Sequence, residues 1–169
     1  RLISRNDIGF DARRFACSTE DFHCAMQIRS SKLPHSMLAT ATHDHKRGED
    51  VRARLAVLSE LAADWTNTVD RWVRLGQRHC VLAANGSRMP AAGDLAILFQ
   101  TIVGAWPMAL AVTDSEGLAK YRRRIAAWQQ KALREAKLHS DWSAPNEAYE
   151  QATGNFISWL FSGESDLLA

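Results

Sequence analysis

The sequence predicts a mainly α-helical protein with one short strand near residues 37–42. Apolar residues recur at helical spacing along most of the 169 residues, as they do in helices that bury one face. Sustained alternation of apolar and polar residues, which is typical of half-buried strands, is almost absent. The predicted strand is the apolar run Met37–Ala41, which lies between Pro34 and a polar turn that begins at Thr42.

The first predicted helix follows Ser18. Ser18 and Asp21 match a capping box, in which each side chain accepts a hydrogen bond from the other residue's backbone N–H. Phe22 and Met26 then recur on one face of a helix that continues to about Ser31.

Two further helices are predicted after the strand. Glu49 and Asp50 begin the first of them, because negative charge stabilises a helix N-terminus, and its apolar stripe is Val51, Leu55, Leu58 and Leu61. The next runs from Asp64 to about His79, and it turns a set of large side chains toward a core: Trp65, Val69, Trp72 and Val73. The segment Val81–Gly93 is predicted to be a loop, because it contains Asn85-Gly86, Pro90 and Gly93.

The C-terminal half has the most regular patterns. One helix ends at Pro107, and its buried face is Leu95, Leu98, Phe99, Ile102, Val103 and Trp106. The longest helix repeats this spacing with Leu118, Tyr121, Ile125, Trp128 and Ala132. Pro145 can open a last helix, whose stripe is Tyr149, Ala152, Phe156 and Trp159. Four of the six tryptophans, Trp72, Trp106, Trp128 and Trp159, are therefore predicted to pack in the core.

Composition excludes several classes of protein. With 46% hydrophobic and 24% charged residues the chain can form a core, and it has no apolar stretch long enough to span a membrane. A formal charge of +2 is too small to indicate nucleic-acid binding. Residues 1–4 do not resemble a secretory leader. Three cysteines without a Cys-x-x-Cys spacing favour a reducing cytoplasm and buried thiols.

The segment TATHDHKRGED, Thr40–Asp50, contains the most distinctive group of polar residues. His43 and Asp44 follow the predicted strand directly, and Lys46 and Arg47 come next. In a parallel α/β barrel the carboxyl ends of the strands carry the active site.

Several blocks of sequence carry a resemblance to a known family, and they occur in the family's order: Arg1–Asp11, Leu33–Glu60, Ala92–Pro107 and Arg122–Glu150. They resemble the maltooligosyl trehalose synthase family, part of the α-amylase superfamily of retaining glycoside-active enzymes. Gly9-Phe10 departs from the family pattern, in which a second glycine is expected. The resemblance implies a C-terminal-side fragment of a larger (β/α)8 barrel enzyme, since a complete barrel needs about 250 residues. Residues 1–49 would be the barrel-derived loop, helix, strand and active-site turn, and residues 50–169 a helical domain.

The resemblance also implies an activity, the intramolecular conversion of the reducing-end α-1,4 bond of a maltodextrin into an α,α-1,1 bond. Of the superfamily's three carboxylates only the last is matched: Asp44 would stabilise the transition state, and His43 would contact a hydroxyl of the same sugar. Retention needs a nucleophile and an acid/base as well, so the chain alone is expected to be inactive. No cofactor or metal is expected. The expected partners are a maltodextrin substrate and the remainder of the parent polypeptide, in the cytoplasm.

Lys46 and Arg47 are expected to bind substrate, with Lys46 the stronger candidate, because cationic donors suit a ligand rich in hydroxyls. Trp142 and Asn6 are further candidates, since Trp142 lies in a polar loop and Asn6 lies in another.

Other interpretations of the residues remain open. Asp44 fits a turn aspartate, and Lys46 and Arg47 fit surface charges that pair with Glu49 or Asp50. The chain would then be a noncatalytic helical carbohydrate-binding or scaffolding domain. A small metal-dependent hydrolase that uses His43, Asp44 and His45 is the third possibility.

Overall fold

The structure is a computed structural model that describes residues 11, 13, 16–42 and 45–168. Within those residues it contains six α-helices, and the predicted predominance of helix is confirmed. They are α1 (Thr19–Lys32), α2 (Glu49–Val57), α3 (Ala62–Gly76), α4 (Ala92–Ala105), α5 (Ser115–Ala136) and α6 (Glu147–Leu160). A 3-10 turn, Gln77–His79, continues α3, and another, Asp166–Leu168, follows α6. No helix in this described part is long and apolar enough to cross a membrane.

The capping box of α1 is formed as predicted. The Asp21 N–H donates to the Ser18 hydroxyl at 3.0 Å, and the Ser18 N–H donates to the Asp21 carboxylate at 3.4 Å. The helix ends where the Leu33 N–H donates to the carbonyl of Arg29 at 2.8 Å. None of the residues of α1 is buried, so local bonds rather than core packing define this helix.

The short strand predicted near residues 37–42 is not formed. A strand requires a neighbour whose N–H and C=O groups complete its hydrogen-bond ladder, and the described part of the chain offers none to this segment. The Arg29 guanidinium donates instead to the Met37 carbonyl at 3.4 Å and to the Ser36 hydroxyl at 3.3 Å. The segment is irregular, and the side chain of Met37 is 95% exposed.

Helices α2 and α4 pack closely at Gly104. A Cβ atom on Gly104 would lie 2.9 Å from Val51 Cγ1 and 3.0 Å from Leu55 Cγ, so only glycine allows this approach. Leu55 is completely buried. The helix ends at Val57, so the predicted stripe of α2 is correct in its first half only.

Helices α3 to α6 form one hydrophobic core. We use the term helical core for these four helices together with α2. The predicted stripe of α6 is confirmed, because Tyr149, Ala152, Phe156 and Trp159 are all buried. Four of the six predicted residues of α4 are buried, namely Leu95, Leu98, Phe99 and Ile102, while Val103 and Trp106 are half-buried. The aromatic side chains of α3, Trp65 and Trp72, pack against this cluster while partly exposed. The Tyr121 hydroxyl donates to the Ile102 carbonyl at 2.8 Å and joins α5 to α4.

The second half of α5 differs from the predicted stripe. Leu118, Tyr121 and Ile125 are buried as predicted, but the next buried residues are Gln129 and Leu133. Leu133 packs with residues of α6 and of a short hairpin: Tyr149, Ala152 and Met89. Because these contacts rotate the buried face by one residue, Trp128 and Ala132 are left only half-buried.

The predicted loop Val81–Gly93 contains two short antiparallel strands, β1 (Val81–Leu82) and β2 (Arg88–Met89). Gly86 turns the chain between them with a φ of 80°, a conformation that favours glycine. The Asn85 carboxamide oxygen accepts a hydrogen bond from the Ser87 N–H at 3.0 Å. The Asn-Gly pair is therefore a hairpin signal here.

The prediction of buried thiols is wrong for two of the three cysteines. Cys17 and Cys24 are exposed and Cys80 is half-buried, because the segment that carries the first two lies outside the core.

Candidate functional site

Thr40 connects the irregular segment to the first turns of α2. The Arg52 guanidinium donates to the Thr40 carbonyl at 2.9 Å, and the Thr40 hydroxyl donates to the Glu49 carboxylate. The hydrogen bond from Thr40 lowers the pKa of Glu49. Residues 40 and 49 are thus joined at the N-terminus of α2.

Thr42 and His45 flank the predicted catalytic pair, His43 and Asp44, in the sequence, and they contact each other. The His45 N–H donates to the Thr42 carbonyl at 3.2 Å, and the Thr42 N–H donates to His45 Nδ1 at 2.8 Å. Since a backbone N–H can only donate, His45 Nδ1 accepts this hydrogen bond. His43 and Asp44 themselves lie outside the described residues.

Lys46 has a left-handed backbone, with a φ of 59°, and its side chain is exposed. This conformation is uncommon for residues other than glycine and costs about 1 kcal/mol or more. Such backbone strain is concentrated at functional sites. Gly48, two residues later, is the N-cap of α2 and has no side chain to cap it.

Arg47 is half-buried against Trp128 of α5. Its guanidinium carbon lies 5.5 Å from the centre of the Trp128 ring, which is a cation–π distance. Its Nε atom is buried and has no hydrogen-bond partner among the residues that the structure describes. Burial lowers the pKa of the Arg47 guanidinium, but an arginine remains charged at neutral pH. The contact with Trp128 therefore fixes a cation that is partly removed from water.

Two cavities meet at the Arg47–Trp128 pair. The larger, of about 470 Å³, is lined by Thr42, Lys46, Arg47, Gly48, Trp128, Lys131, Ala132 and Glu135. The other, of about 390 Å³, lies toward α4 and includes Lys46, Arg47, Thr101, Tyr121 and Arg124 among its lining residues. Among the described lining residues of both, Glu135 is the one carboxylate, and it lies 3.8 Å from the ammonium of Lys131. The larger cavity is lined by three cationic N–H donors, Lys46, Arg47 and Lys131, so it suits a ligand with many oxygen atoms.

Trp142 lies elsewhere, and it does not line either of these cavities. Its ring is 58% exposed and lies 5.0 Å from the guanidinium carbon of Arg134. Arg134 also makes a bidentate ion pair with Glu150, with both N–O distances at 2.7 Å. The hydrogen bonds from Arg134, and then those from Ser140 and Gln130, lower the pKa of Glu150 to about 2.

The structure therefore brings Lys46 and Arg47 together and places Trp142 apart from them. Asn6 lies outside the described residues. Within residues 11, 13, 16–42 and 45–168, no group of three or more His, Cys, Asp or Glu side chains could hold a metal ion.

The sequence did not indicate Trp128 as part of this site. Its position on the apolar stripe of α5 predicted core packing, and no local pattern connects residue 128 to residue 47. One signal was available, since Trp128 has Arg and Lys residues on both sides in the sequence, which is more common at a boundary than in a core.

Comparison with known proteins gives a consistent result, although no family model matches the chain. A protein of Mycobacterium tuberculosis (strain H37Rv) named as a maltooligosyl trehalose synthase is 34% identical over 96% of this chain. The crystal structure of a hypothetical maltooligosyl trehalose synthase from Sulfolobus tokodaii superimposes on 96% of the chain with a TM-score of 0.75 and 33% identity. The structure of maltooligosyltrehalose synthase from Arthrobacter ramosus superimposes on 96% of the chain with a TM-score of 0.67 and 29% identity.

The chain spans only 19% of the Mycobacterium protein and 20% of the Sulfolobus chain. The fold and these comparisons thus define it as a mainly helical segment of the kind found within much larger enzymes. Those enzymes are maltooligosyl trehalose synthases, and the resemblance drawn from the sequence blocks is confirmed.

Proposed function

We propose that this chain forms part of an intramolecular transglycosylase that converts the reducing-end α-1,4 bond of a maltodextrin into an α,α-1,1 bond. The observation that carries the proposal is the similarity to maltooligosyl trehalose synthases over 96% of the chain. The expected substrate is a maltodextrin, the expected partner is the rest of such an enzyme, and the expected location is the cytoplasm.

In this proposal, Asp44 stabilises the flattened, cationic sugar of the transition state, and His43 donates to a hydroxyl of the same sugar. The described residues near this pair support these roles, because Thr40 is hydrogen-bonded to Arg52 and to Glu49 at the N-terminus of α2. A retaining mechanism needs a nucleophile and an acid/base besides. The chain alone is therefore expected to have no trehalose-forming activity.

Arg47 is proposed to bind sugar oxygen atoms from a fixed position. Its contact with Trp128 restricts the side chain, and its guanidinium presents planar N–H donors. A donor that is already ordered loses less entropy when it binds. Lys46 is exposed, so its ammonium is proposed to act at the rim of the 470 Å³ cavity, where it orients the acceptor glucose.

The test uses a chimera in which residues 1–169 replace the matching fifth of the Sulfolobus tokodaii protein. We expect the chimera to form a nonreducing product from maltodextrin and the isolated chain to form none. Arg47→Ala in the chimera should lower kcat/KM by about 10–100-fold, since a charge-assisted hydrogen bond contributes roughly 1.5–3 kcal/mol.

The matched control is Arg123→Ala, which removes an exposed arginine of α5 and should change kcat/KM by less than about twofold. A folded chimera without activity would contradict the proposed function. Equal effects of the two substitutions would contradict the role of Arg47.

A further inference from the structure

Arg47 and Arg134 make the same kind of contact with a tryptophan, but in the described part of the chain only Arg134 also pairs with a carboxylate. The two guanidinium carbons lie 5.5 Å from the Trp128 ring and 5.0 Å from the Trp142 ring, respectively. Glu150 binds Arg134 through two hydrogen bonds of 2.7 Å each. Arg47 forms no ion pair with any described residue. Glu150 thus shows which kind of group completes an arginine–tryptophan pair, namely an oxyanion.

A half-buried cation without a counterion is unfavourable. Water is partly removed from the Arg47 guanidinium, and burial lowers its pKa, but the group stays charged at neutral pH. The hydroxyl groups of a neutral sugar accept its N–H bonds and leave its charge uncompensated. A ligand that carries negative charge on its oxygen atoms therefore matches Arg47 better than a neutral ligand does.

Three further cations line the two cavities at Arg47. Lys46 lines both, Lys131 lines the larger and Arg124 lines the other. Lys46 and Arg124 pair with no carboxylate of the described residues, and Lys131 lies 3.8 Å from Glu135. Gly48 lines both cavities and begins α2 without a capping side chain, so the positive end of the helix dipole faces them. Four cations and one carboxylate among the described lining residues give the cavities a positive potential.

The acidic residues at the start of α2 do not offset this charge. Glu49 and Asp50 lie in the first turn of the helix, but neither of them lines either cavity. The Glu49 carboxylate accepts a hydrogen bond from Thr40 and interacts with the charge of Arg52. The positive charge of the cavity lining is therefore available to a bound anion.

We propose that the cavities at Arg47 bind a phosphate group, and that the ligand which carries it regulates the proposed transglycosylase by competing with maltodextrin. The competition rests on the proposed function, whereas the binding does not. Phosphate carries nearly two negative charges at neutral pH, and its oxygen atoms accept two parallel bonds from an arginine and another from a lysine. The larger cavity, of about 470 Å³, has room for a sugar as well. The ligand is thus inorganic phosphate or a sugar phosphate.

Calorimetric titration of the isolated chain with inorganic phosphate tests the binding directly. At an ionic strength held constant with chloride, we expect saturable binding with a dissociation constant of about 1 mM or less. Arg47→Ala should weaken the binding by at least about tenfold, and Arg124→Ala by about three- to tenfold, since each removes a charge-assisted bond. Arg124 is exposed, so its variant is expected to fold even if the Arg47 variant does not.

The matched control is Arg123→Ala. Arg123 is exposed on the same helix and lines neither cavity, so its loss should change the dissociation constant by less than about twofold. Absence of saturable phosphate binding would overturn the proposal. Equal losses in the Arg124 and Arg123 variants would overturn it too, because they would show a nonspecific effect of net charge.

Two more titrations identify the source of the phosphate group. Glucose 6-phosphate should bind at least about tenfold more tightly than inorganic phosphate if the ligand is a sugar phosphate, and about equally if it is free phosphate. Glucose is the neutral control and should bind at least about tenfold more weakly than glucose 6-phosphate. Equal binding of glucose and glucose 6-phosphate would mean that hydroxyl groups rather than charge are recognised, which would overturn the proposal.

Steady-state kinetics of the Sulfolobus chimera test the regulation. At constant ionic strength, inorganic phosphate should raise the KM for maltodextrin and leave kcat within about 1.5-fold, because saturating substrate displaces a competing ligand. An active chimera whose KM does not respond would overturn the regulation, since a carboxylate of the surrounding enzyme would then neutralise the cations. An inactive chimera would reject the proposed function and with it the competition, while calorimetry on the isolated chain would still decide the binding.

Discussion

Residues 16–42, which we call the N-terminal arm, and the helical core are stabilised by different interactions. The arm has a complete capping box and several polar bonds but buries no large side chain. The core buries aromatic and aliphatic residues of three helices around Phe99 and Phe156, both completely inaccessible. Thr40 of the arm is hydrogen-bonded to Glu49 and Arg52 of the core and forms the junction of the two. The comparison indicates that the proposed chemistry and the stability of the fold depend on separate parts of this chain, and the following variants test that separation.

The largest effect is expected for Asp44→Asn in the Sulfolobus chimera. The substitution keeps the size of the side chain and removes its charge, so stabilisation of a cationic sugar is lost. Two charge-assisted hydrogen bonds that strengthen in the transition state correspond to about 3–6 kcal/mol. The turnover rate should fall by about 10² to 10⁴, while KM changes much less.

Steady-state kinetics and a thermal melt on the same sample measure both properties. Asp114→Asn is the control, since Asp114 caps α5 through the N–H of Gly117 at 2.9 Å and an asparagine can do the same. If the Asp44 variant retained a rate within about threefold of the parent, a barrier change below roughly 0.7 kcal/mol, Asp44 would be a structural turn residue.

The next effect compares two phenylalanines in the isolated chain. Phe156→Ala should reduce the free energy of unfolding by about 3–5 kcal/mol, because it leaves a cavity in the core. Phe22→Ala should reduce it by less than about 0.5 kcal/mol, because Phe22 is 52% exposed in the arm. Urea unfolding followed by circular dichroism measures both. A comparable loss for the two would mean that the arm packs on the core.

A smaller effect is expected from pH and from Glu150. The bonds from Arg134, Ser140 and Gln130 lower the pKa of Glu150 from its ordinary 4.5 to about 2. A carboxyl whose pKa is lower in the folded state stabilises the fold above the unfolded pKa, and this stabilisation is lost as pH falls from 4.5 toward 2.

Glu150→Gln should therefore lower the free energy of unfolding at pH 7 by about 1–2 kcal/mol, a value reduced to allow for solvent screening. The decrease of this free energy at acid pH should also become less steep. Glu49→Gln is the comparison at the junction, since the pKa of Glu49 is also lowered but its carboxylate is exposed. The urea concentration at the midpoint of unfolding, measured between pH 2 and pH 7, distinguishes the two variants. A steep acid limb that persists in the Glu150 variant would assign the transition to other groups.

The smallest effect on stability is expected when the capping side chain of one helix, α6 or α1, is removed. Asn146 caps α6 by accepting a hydrogen bond from the Tyr149 N–H at 3.1 Å, and Ser18 caps α1. Asn146→Ala should lower global stability by about 1 kcal/mol. Ser18→Ala should increase hydrogen exchange in α1 and leave global stability within about 0.3 kcal/mol. A global loss of similar size for both would show that α1 unfolds together with the core.

Local periodicity was sufficient to predict α3 to α6, because burial of one face repeats every three or four residues. Helix α1 buries no residue, and its capping box indicated where it begins. It could not decide between Trp128 and Gln129 in α5, since the buried face there depends on where α6 and the hairpin pack. The apolar run at Met37 has strand-like composition, but composition does not supply a partner for its backbone. In the loop before α4, Asn85-Gly86 predicted a turn, and the flanking strands were too short to produce an alternating pattern.

The candidate site was predictable only where its residues are contiguous in the sequence. Lys46 and Arg47 follow from a contiguous motif, and the structure places both at the same cavities. Trp128 comes from a distant helix, and its contact with Arg47 depends on how α5 packs beside the start of α2. Such a pairing is a property of the tertiary fold and leaves no local pattern in the sequence.

Gly104 acts as a spacer that sets how deeply α2 sits against α4. Any larger residue there would meet the stiff side chain of Val51 within 2.9 Å and would move the helix outward. Arg47 and Gly48 are joined directly to the N-terminus of α2, so they would move with it. The width of the cavity beside Arg47 is thus controlled by a residue that does not line it. The shape of this cavity therefore depends on helix spacing as well as on the residues that are proposed to contact a sugar.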